Sequence, residues 1–300
     1  MQTVIINATR KRYLPTHKNT MKFTVDDNLA GKTLKQYFAE QGYSTTQIKR
    51  YKYGGEILVN GTPQTVRYTL QKGDEVILVT AERLQTPAFA QQEAKVLFAD
   101  RWLYVAEKPY GLPIHPDRAH RDDTFGNRLA TTFGQGFCLR IVTRLDKTTS
   151  GLVLGAFDEI TAQKLNEMQQ KHAIEKTYLA RVNGTLPTPS GKIDLSLLRE
   201  DKTNKTVVSE RGKAATTLWQ VLCTDEKSTL LEVTPLTGRT HQIRAHLSAI
   251  GHPIVGDELY GGSPSQRVML HCHRLKFTHP VTGEIVDIVS QEDFAARADG

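Results

Sequence analysis

Four apolar runs of strand length dominate the second half of the chain: LVLGAF at 152–157, KTYLARVNG at 176–184, STLLEVTPL at 228–236 and MLHCHRLKF at 269–277. Only two stretches between them have helical spacing, DEITAQKLNEMQQKHA, with Asp158 placed to cap it, and HQIRAHLSAI. A parallel βαβ chain alternates strand and helix one for one, and this one does not. The pattern predicts an α+β domain built on a mainly antiparallel, mixed sheet. No GxGxxG or GxxxxGK[ST] loop is present to cradle a nucleotide phosphate.

With 300 residues, 39% of them hydrophobic, the chain can bury a sizeable core and is expected to hold two domains. Charge marks the division: residues 1–85 carry 13 Lys and Arg against 7 Asp and Glu, and residues 86–300 carry 26 against 25. A basic small domain beside a nearly neutral large one points to a polyanionic partner for the former. No apolar run approaches the roughly 20 residues that span a bilayer, and the first 20 residues lack a signal-peptide core, so a cytoplasmic protein with no membrane partner is expected. Cys138, Cys223 and Cys272 are odd in number and far apart, which suits reduced thiols. His241 and His246 are five residues apart, unlike a helical zinc pair, and His271 and His273 find no complete ligand set. No metal and no cofactor are expected.

The boundaries read as a basic extension over 1–21, a small domain over 22–80, a polar linker over 81–95 and a large domain over 96–300. Within the small domain, AGKTLKQYFAEQGYS sets Leu34, Tyr37 and Phe38 at helical spacing and ends at Gly42. A second helix follows in STTQIKRYKYGG, opened by Ser44 with Gln47 three residues on; Ile48 and Tyr51 face inward, and Lys49, Arg50 and Lys52 fall largely on the other side. Asn60-Gly61 and Gly73-Asp74 then supply turns for a β ribbon.

Residues 141–157, IVTRLDKTTSGLVLGAF, place one carboxylate, Asp146, between Arg144 and a small polar turn, with strand-like runs on both sides. An aspartate in such a setting is ordinarily a turn residue. Rigid flanks, a glycine at 151 that permits a sharp bend and a nearby cation are instead what a reactive, ionised carboxylate requires.

The order of two helices and a ribbon, with the VNG and GDEV turns, makes residues 22–80 resemble the S-four-type RNA-binding module. That resemblance implies that Lys49, Arg50 and Lys52 meet RNA. In the large domain, RLDKTTSGLVL resembles the R-L-D-x-x-T-S-G-L element of the RluA family of pseudouridine synthases. EKTYLARVNG resembles its K-x-Y element, and PLTGRTHQIRAHLSAIGHPIVGDELYGG its T-G-R-x-H-Q-I-R element with the following G-H-P-I-x-G-D. KPYGLPIHP and FTHPVTGE agree with the family as well. The family implies an isomerase that converts uridine in RNA to pseudouridine without cofactor. The S-four-type resemblance favours ribosomal RNA over tRNA, and a monomer is expected. It makes Asp146 the catalytic aspartate, Tyr178 the active-site tyrosine, Arg244 the basic partner of Asp146, and Arg144 the side chain that fills the space of a flipped-out base. Thr143 departs from the family, which usually has histidine there, and puts substrate choice or flipping geometry in question.

The residue types suit the chemistry. An ionised Asp146 can attack the anomeric carbon or take a proton from the neighbouring sugar carbon, and both routes stay open. Tyr178 offers a face for uracil and a hydroxyl for proton transfer. Arg244 lies about 100° round the helix from a buried stripe of Ile243, Leu247 and Ile250, at the edge of a cleft. A uridine stacked in RNA has to be flipped out to react. Two other readings remain, an RNA-binding protein without catalysis and a hydrolase of the N-glycosidic bond.

Overall fold

The computed structural model of the chain describes residues 19–41, 43, 48–49, 51–52, 55–80, 87–115, 122–200, 203 and 205–291. They divide into two compact units, one within 14–85 and one from 86 onward.

The small unit holds β1 (Asn19–Thr24), α1 (Leu34–Glu40), β2 (Gly55–Val59), β3 (Thr62–Pro63) and β4 (Glu75–Thr80). Its antiparallel sheet has the order β1-β4-β2-β3. Thr33 caps α1 in a reciprocal box with Gln36, and the helix buries Leu34, Tyr37 and Phe38, the three residues expected from their spacing. Phe38 stacks on Tyr51 at a centroid distance of 5.6 Å. Residues 48–49 and 51–52 are helical, and Lys49 and Lys52 are exposed. Arg50, Ser44, Gln47 and Gly42 lie outside the described residues. Asn60 and Gly61 both have positive φ, as a tight hairpin turn between β2 and β3 demands. The Asn60 amide donates to Asp74 and thereby ties the two turns together. Strand β1 had no counterpart among the sequence expectations.

The large unit opens with the hairpin β5 (Lys95–Ala99) and β6 (Leu103–Lys108), then α2 (Phe125–Phe133), β7 (Ser150–Ala156), α3 (Glu159–Gln170) and β8 (Ile174–Asn183). It continues with β9 (Ser190–Asp194), β10 (Leu197–Glu200), β11 (Lys205–Val208), β12 (Thr216–Thr224) and β13 (Ser228–Pro235). Helix α4 (Gln242–Ala249), a 3-10 turn at Glu258–Tyr260, β14 (Leu270–Thr278) and β15 (Ile285–Val289) complete it. Nine strands form one sheet in the order β5-β6-β7-β14-β8-β13-β12-β9, with β15 paired to β14. Only β7 and β14 run parallel; the other pairings in this sheet are antiparallel, which makes it the mainly antiparallel mixed sheet of an α+β fold.

Four local expectations change. Residues 87–94, taken for linker, are bound to α2: Ala90 N donates to Thr131 Oγ1 at 2.8 Å, Ala94 N to Thr132 Oγ1 at 2.7 Å, and Asn127 Nδ2 to the Ala88 carbonyl at 2.7 Å. The run before Asp146 is not a strand; a single bridge from Ile141 to Gly155 ties it to β7. Gly151 makes no turn. It sits in β7 with φ +113°, where a Cβ would fall 2.3 Å from the Cys272 carbonyl oxygen, so glycine is what lets β7 and β14 approach. Ile250 follows α4 and is exposed, while α4 buries every residue from Gln242 to Leu247.

Candidate active site

The loop that carries Asp146 is held at both ends. Val142 N and Thr143 N donate to the Leu154 carbonyl at 2.8 and 3.2 Å, and Thr143 Oγ1 accepts from Leu154 N at 2.8 Å. Thr143 is thus a buried brace on β7, occupied with backbone. Beyond Asp146, Thr149 N closes a turn on to the Asp146 carbonyl at 3.1 Å. The Lys147 carbonyl accepts from Gly111 N at 2.9 Å and from Lys108 Nζ at 3.2 Å.

Lys108 is fully buried, and its other two ammonium contacts are the carbonyls of Pro109 at 2.8 Å and Leu112 at 2.9 Å. Burial pushes its pKa down to about 7, against the pull of Asp146 and with the push of Arg267. Three carbonyls for three N–H donors oppose that fall and favour the charged form.

Asp146 keeps 30% of its side chain exposed, toward a cleft of about 470 Å³ that Arg144, Lys176, Tyr178, Arg199, His241 and Arg244 help to line. The carboxylate is therefore open to the cleft. Arg244 Nη1 stands 3.6 Å from Asp146 Oδ2, and His241 Nε2 stands 3.8 Å from it. The Arg244 guanidinium spends its hydrogen bonds elsewhere, with Nε to Asp257 Oδ2 at 2.6 Å and Nη2 to Asp257 Oδ1 at 2.8 Å. The carboxylate at hydrogen-bond distance from Arg244 is thus Asp257, and Asp146 receives the longer contact. The Tyr260 ring covers the guanidinium at 5.0 Å, and its hydroxyl lies 3.1 Å from His241 Nδ1.

His241 caps α4 in the left-handed conformation, φ +52°, without a side-chain cap bond. Gln242 secures the same turn by accepting from Thr237 Oγ1 at 2.7 Å and Arg239 N at 3.0 Å and by donating to the Thr216 carbonyl at 2.9 Å. Burial lowers the His241 pKa, with Asp146 pulling the other way.

Tyr178 reaches the cleft from β8. Its pKa is held well above the tyrosine range by burial first, with Cys272 and Asp146 adding to it. The Cys272 thiol is itself pushed up to about 12 by burial. Arg144 is exposed at the cleft; burial lowers the pKa of His115, and the Arg144 charge adds to the fall. The structure thus gathers Asp146, Tyr178, Arg244 and Arg144 around one cleft. Lys49 and Lys52 belong to the small unit.

Comparison with known proteins decides what this arrangement serves. A family model described as RNA pseudouridylate synthase matches residues 102–249. An uncharacterized RNA pseudouridine synthase of Bacillus subtilis, YjbO, is 33% identical over 84% of this chain and 92% of its own length. Ribosomal large subunit pseudouridine synthase D of Nitrosomonas europaea is 36% identical over 90% of this chain and 84% of its own. The chain belongs to the RluA family of RNA pseudouridine synthases. Among solved structures, human RNA pseudouridylate synthase domain containing 1 superposes with a TM-score of 0.59 at 26% identity, over 68% of this chain and 85% of that one.

A pseudouridine synthase isomerises uridine in RNA: the C1′–N1 bond breaks, the base turns, C1′ bonds to C5, and C5 gives up its proton while N1 gains one. A free carboxylate oxygen beside a fixed cation, under an aromatic wall, is suited to that exchange. Sequence reasoning did not reach the parts of this site played by Lys108, His241 and Asp257. All three stand in stretches quoted for their family resemblance, but spacing does not reveal which carboxylate takes the guanidinium or which carbonyls take the ammonium.

Proposed function

We propose that this pseudouridine synthase works on ribosomal RNA with Asp146 as its nucleophile or base. One observation carries the assignment: the Asp146 carboxylate opens into the cleft and is flanked by Arg244 Nη1 and His241 Nε2 at 3.6 and 3.8 Å, with neither bond short enough to occupy its lone pairs. Arg244 places a positive charge beside the carboxylate. Tyr178 serves as the platform on which uracil rests. Its raised pKa, driven by burial, argues against a phenolate that would collect the C5 proton. Arg144, exposed at the mouth, enters the stack from which the uridine has been flipped and contacts phosphate.

Relatives named ribosomal large subunit pseudouridine synthases favour a ribosomal substrate. The small unit, in this reading, is an S-four-type RNA-binding domain that docks RNA through Lys49, Arg50 and Lys52. The exposure of Lys49 and Lys52 supports this, and Arg50 rests on the resemblance alone.

The test is tritium release from ribosomal RNA labelled at uracil C5, with wild type and Asp146→Asn in parallel. Asp146→Asn is expected to release none while binding RNA within a few fold of wild type, because one neutralised carboxylate removes few phosphate contacts. Wild-type turnover by the variant would refute the role of Asp146. Free uracil among the products would show hydrolysis instead.

A further inference from the structure

An arginine beside a carboxylate ordinarily closes on it in a bidentate fork at about 2.7–2.9 Å. Such a fork would take up the lone pairs that a nucleophile or base has to spend. Here the fork is closed on a different carboxylate. Asp257 is 1% exposed and takes Arg244 Nε and Nη2, which leaves Nη1 to face Asp146 at 3.6 Å. The second carboxylate is rigidly placed: Asp257 N donates to the Ile254 carbonyl at 3.0 Å, and its own carbonyl accepts from Tyr260 N at 3.0 Å and Gly262 N at 2.9 Å. Tyr260 closes the clamp by laying its ring over the guanidinium at 5.0 Å.

We propose that Asp257 is a positioning residue for the reaction, holding Arg244 back so that the guanidinium supports the charge of Asp146 without hydrogen-bonding to it. The inference rests on the reading of Asp146 and Arg244 given above. Two anions share one cation, so the positive charge that Asp146 feels is moderated as well as held off. Without Asp257 the fork is free, and a rotation of the buried guanidinium brings two of its nitrogens to Asp146. The carboxylate then loses its free lone pairs. If Asp257 merely filled space, its replacement by the near-isosteric asparagine would leave Arg244 where it is.

The full-length protein tests this by single-turnover tritium release at saturating enzyme, with KM for the RNA measured separately. Asp257→Asn is expected to lower the rate about 100-fold, the scale for a misplacement of about 1 Å at a reacting centre, with KM within about threefold because the RNA contacts are untouched. Asp257→Glu should recover part of that loss, since it restores the anion. In an Arg244→Ala background, Asp257→Asn should change the rate by less than about threefold, because its effect passes through the guanidinium. Should Asp257→Asn fail to fold, Arg244→Lys carries the test, as it keeps the charge and its buried counter-ion but has no fork. It should then show a rate loss of similar size at unchanged KM.

A wild-type rate in Asp257→Asn, or in Arg244→Lys where that variant is used, while Arg244→Ala is impaired overturns the positioning role alone. Independent, multiplying losses in the double variant do the same. A wild-type rate in Arg244→Ala overturns the underlying reading of the site, and the clamp with it.

Discussion

Replacing Gly151 with alanine adds one methyl group where β7 comes close to the backbone of β14. At φ +113° the new Cβ lies 2.3 Å from the Cys272 oxygen, 2.5 Å from its nitrogen and 2.8 Å from its carbonyl carbon. All three are backbone atoms of a strand in the middle of the sheet, so no side chain can swing aside. The unfavourable φ costs about 1–2 kcal/mol for a residue with a Cβ, and forcing a methyl into packed surroundings costs about 1–3 more. A total of about 2–5 kcal/mol corresponds to a fall in Tm of roughly 5–20 °C, at about 2–4 °C per kcal/mol for a unit of roughly 200 residues. Both tryptophans, Trp102 and Trp219, belong to the large unit, so their fluorescence reports its melting alone. Gly283→Ala is the control: its φ is +77° and nothing lies within 4 Å of the added Cβ, so it carries strain without collision. If Gly151→Ala melts no lower than Gly283→Ala, the close approach of β7 and β14 is not what demands glycine.

Further outcomes can be checked on the same protein. Arg144→Ala should raise KM or slow flipping on a structured RNA and matter much less on a short unstructured one, as measured by tritium release on both. Replacing Lys49 and Lys52 together with alanine should flatten the dependence of log affinity on log salt by roughly 0.7–0.9 for each phosphate that is no longer neutralised, read from binding titrations at several salt concentrations. The fragment 86–300 should fold on its own, retain activity on short RNA at high concentration and bind the full substrate more weakly. An affinity and salt slope equal to those of the full chain would refute docking by the small unit.

Much of the sheet was legible because its principal strands are long and strongly apolar. The runs at 152–157, 176–184, 228–236 and 269–277 all fall within or across β7, β8, β13 and β14, and Asp158 caps α3 as its position implied. Helix α2 was not legible. FGNRLATTF spans nine residues and turns two threonines and an asparagine toward residues 88–94, so its polar side reads like loop although Thr124 and Asn127 form a capping box. Strand β1 gains its identity from pairing with β4, a partner more than 50 residues away. In the site, motif order led to Asp146, Tyr178 and Arg244. The pairing of Arg244 with Asp257 depended on a loop closure over 13 residues that no local pattern encodes.

The place of β14 bears on how the enzyme comes to be made. Asp146 lies four residues before the start of β7 and Tyr178 lies on β8, and the strand between those two is β14, which begins at residue 270. During synthesis the two halves of the cleft leave the ribosome with a gap between them, each showing an unpaired strand edge. The late strand has to slot into that gap, parallel on one side and antiparallel on the other, before the two residues face each other. A nascent chain that stops short of residue 270 therefore has its chemical groups but no reaction centre, and the open edges make it a candidate for chaperone capture or misassociation. Termination before residue 270 should yield inert protein however much of the cleft's sequence has been translated.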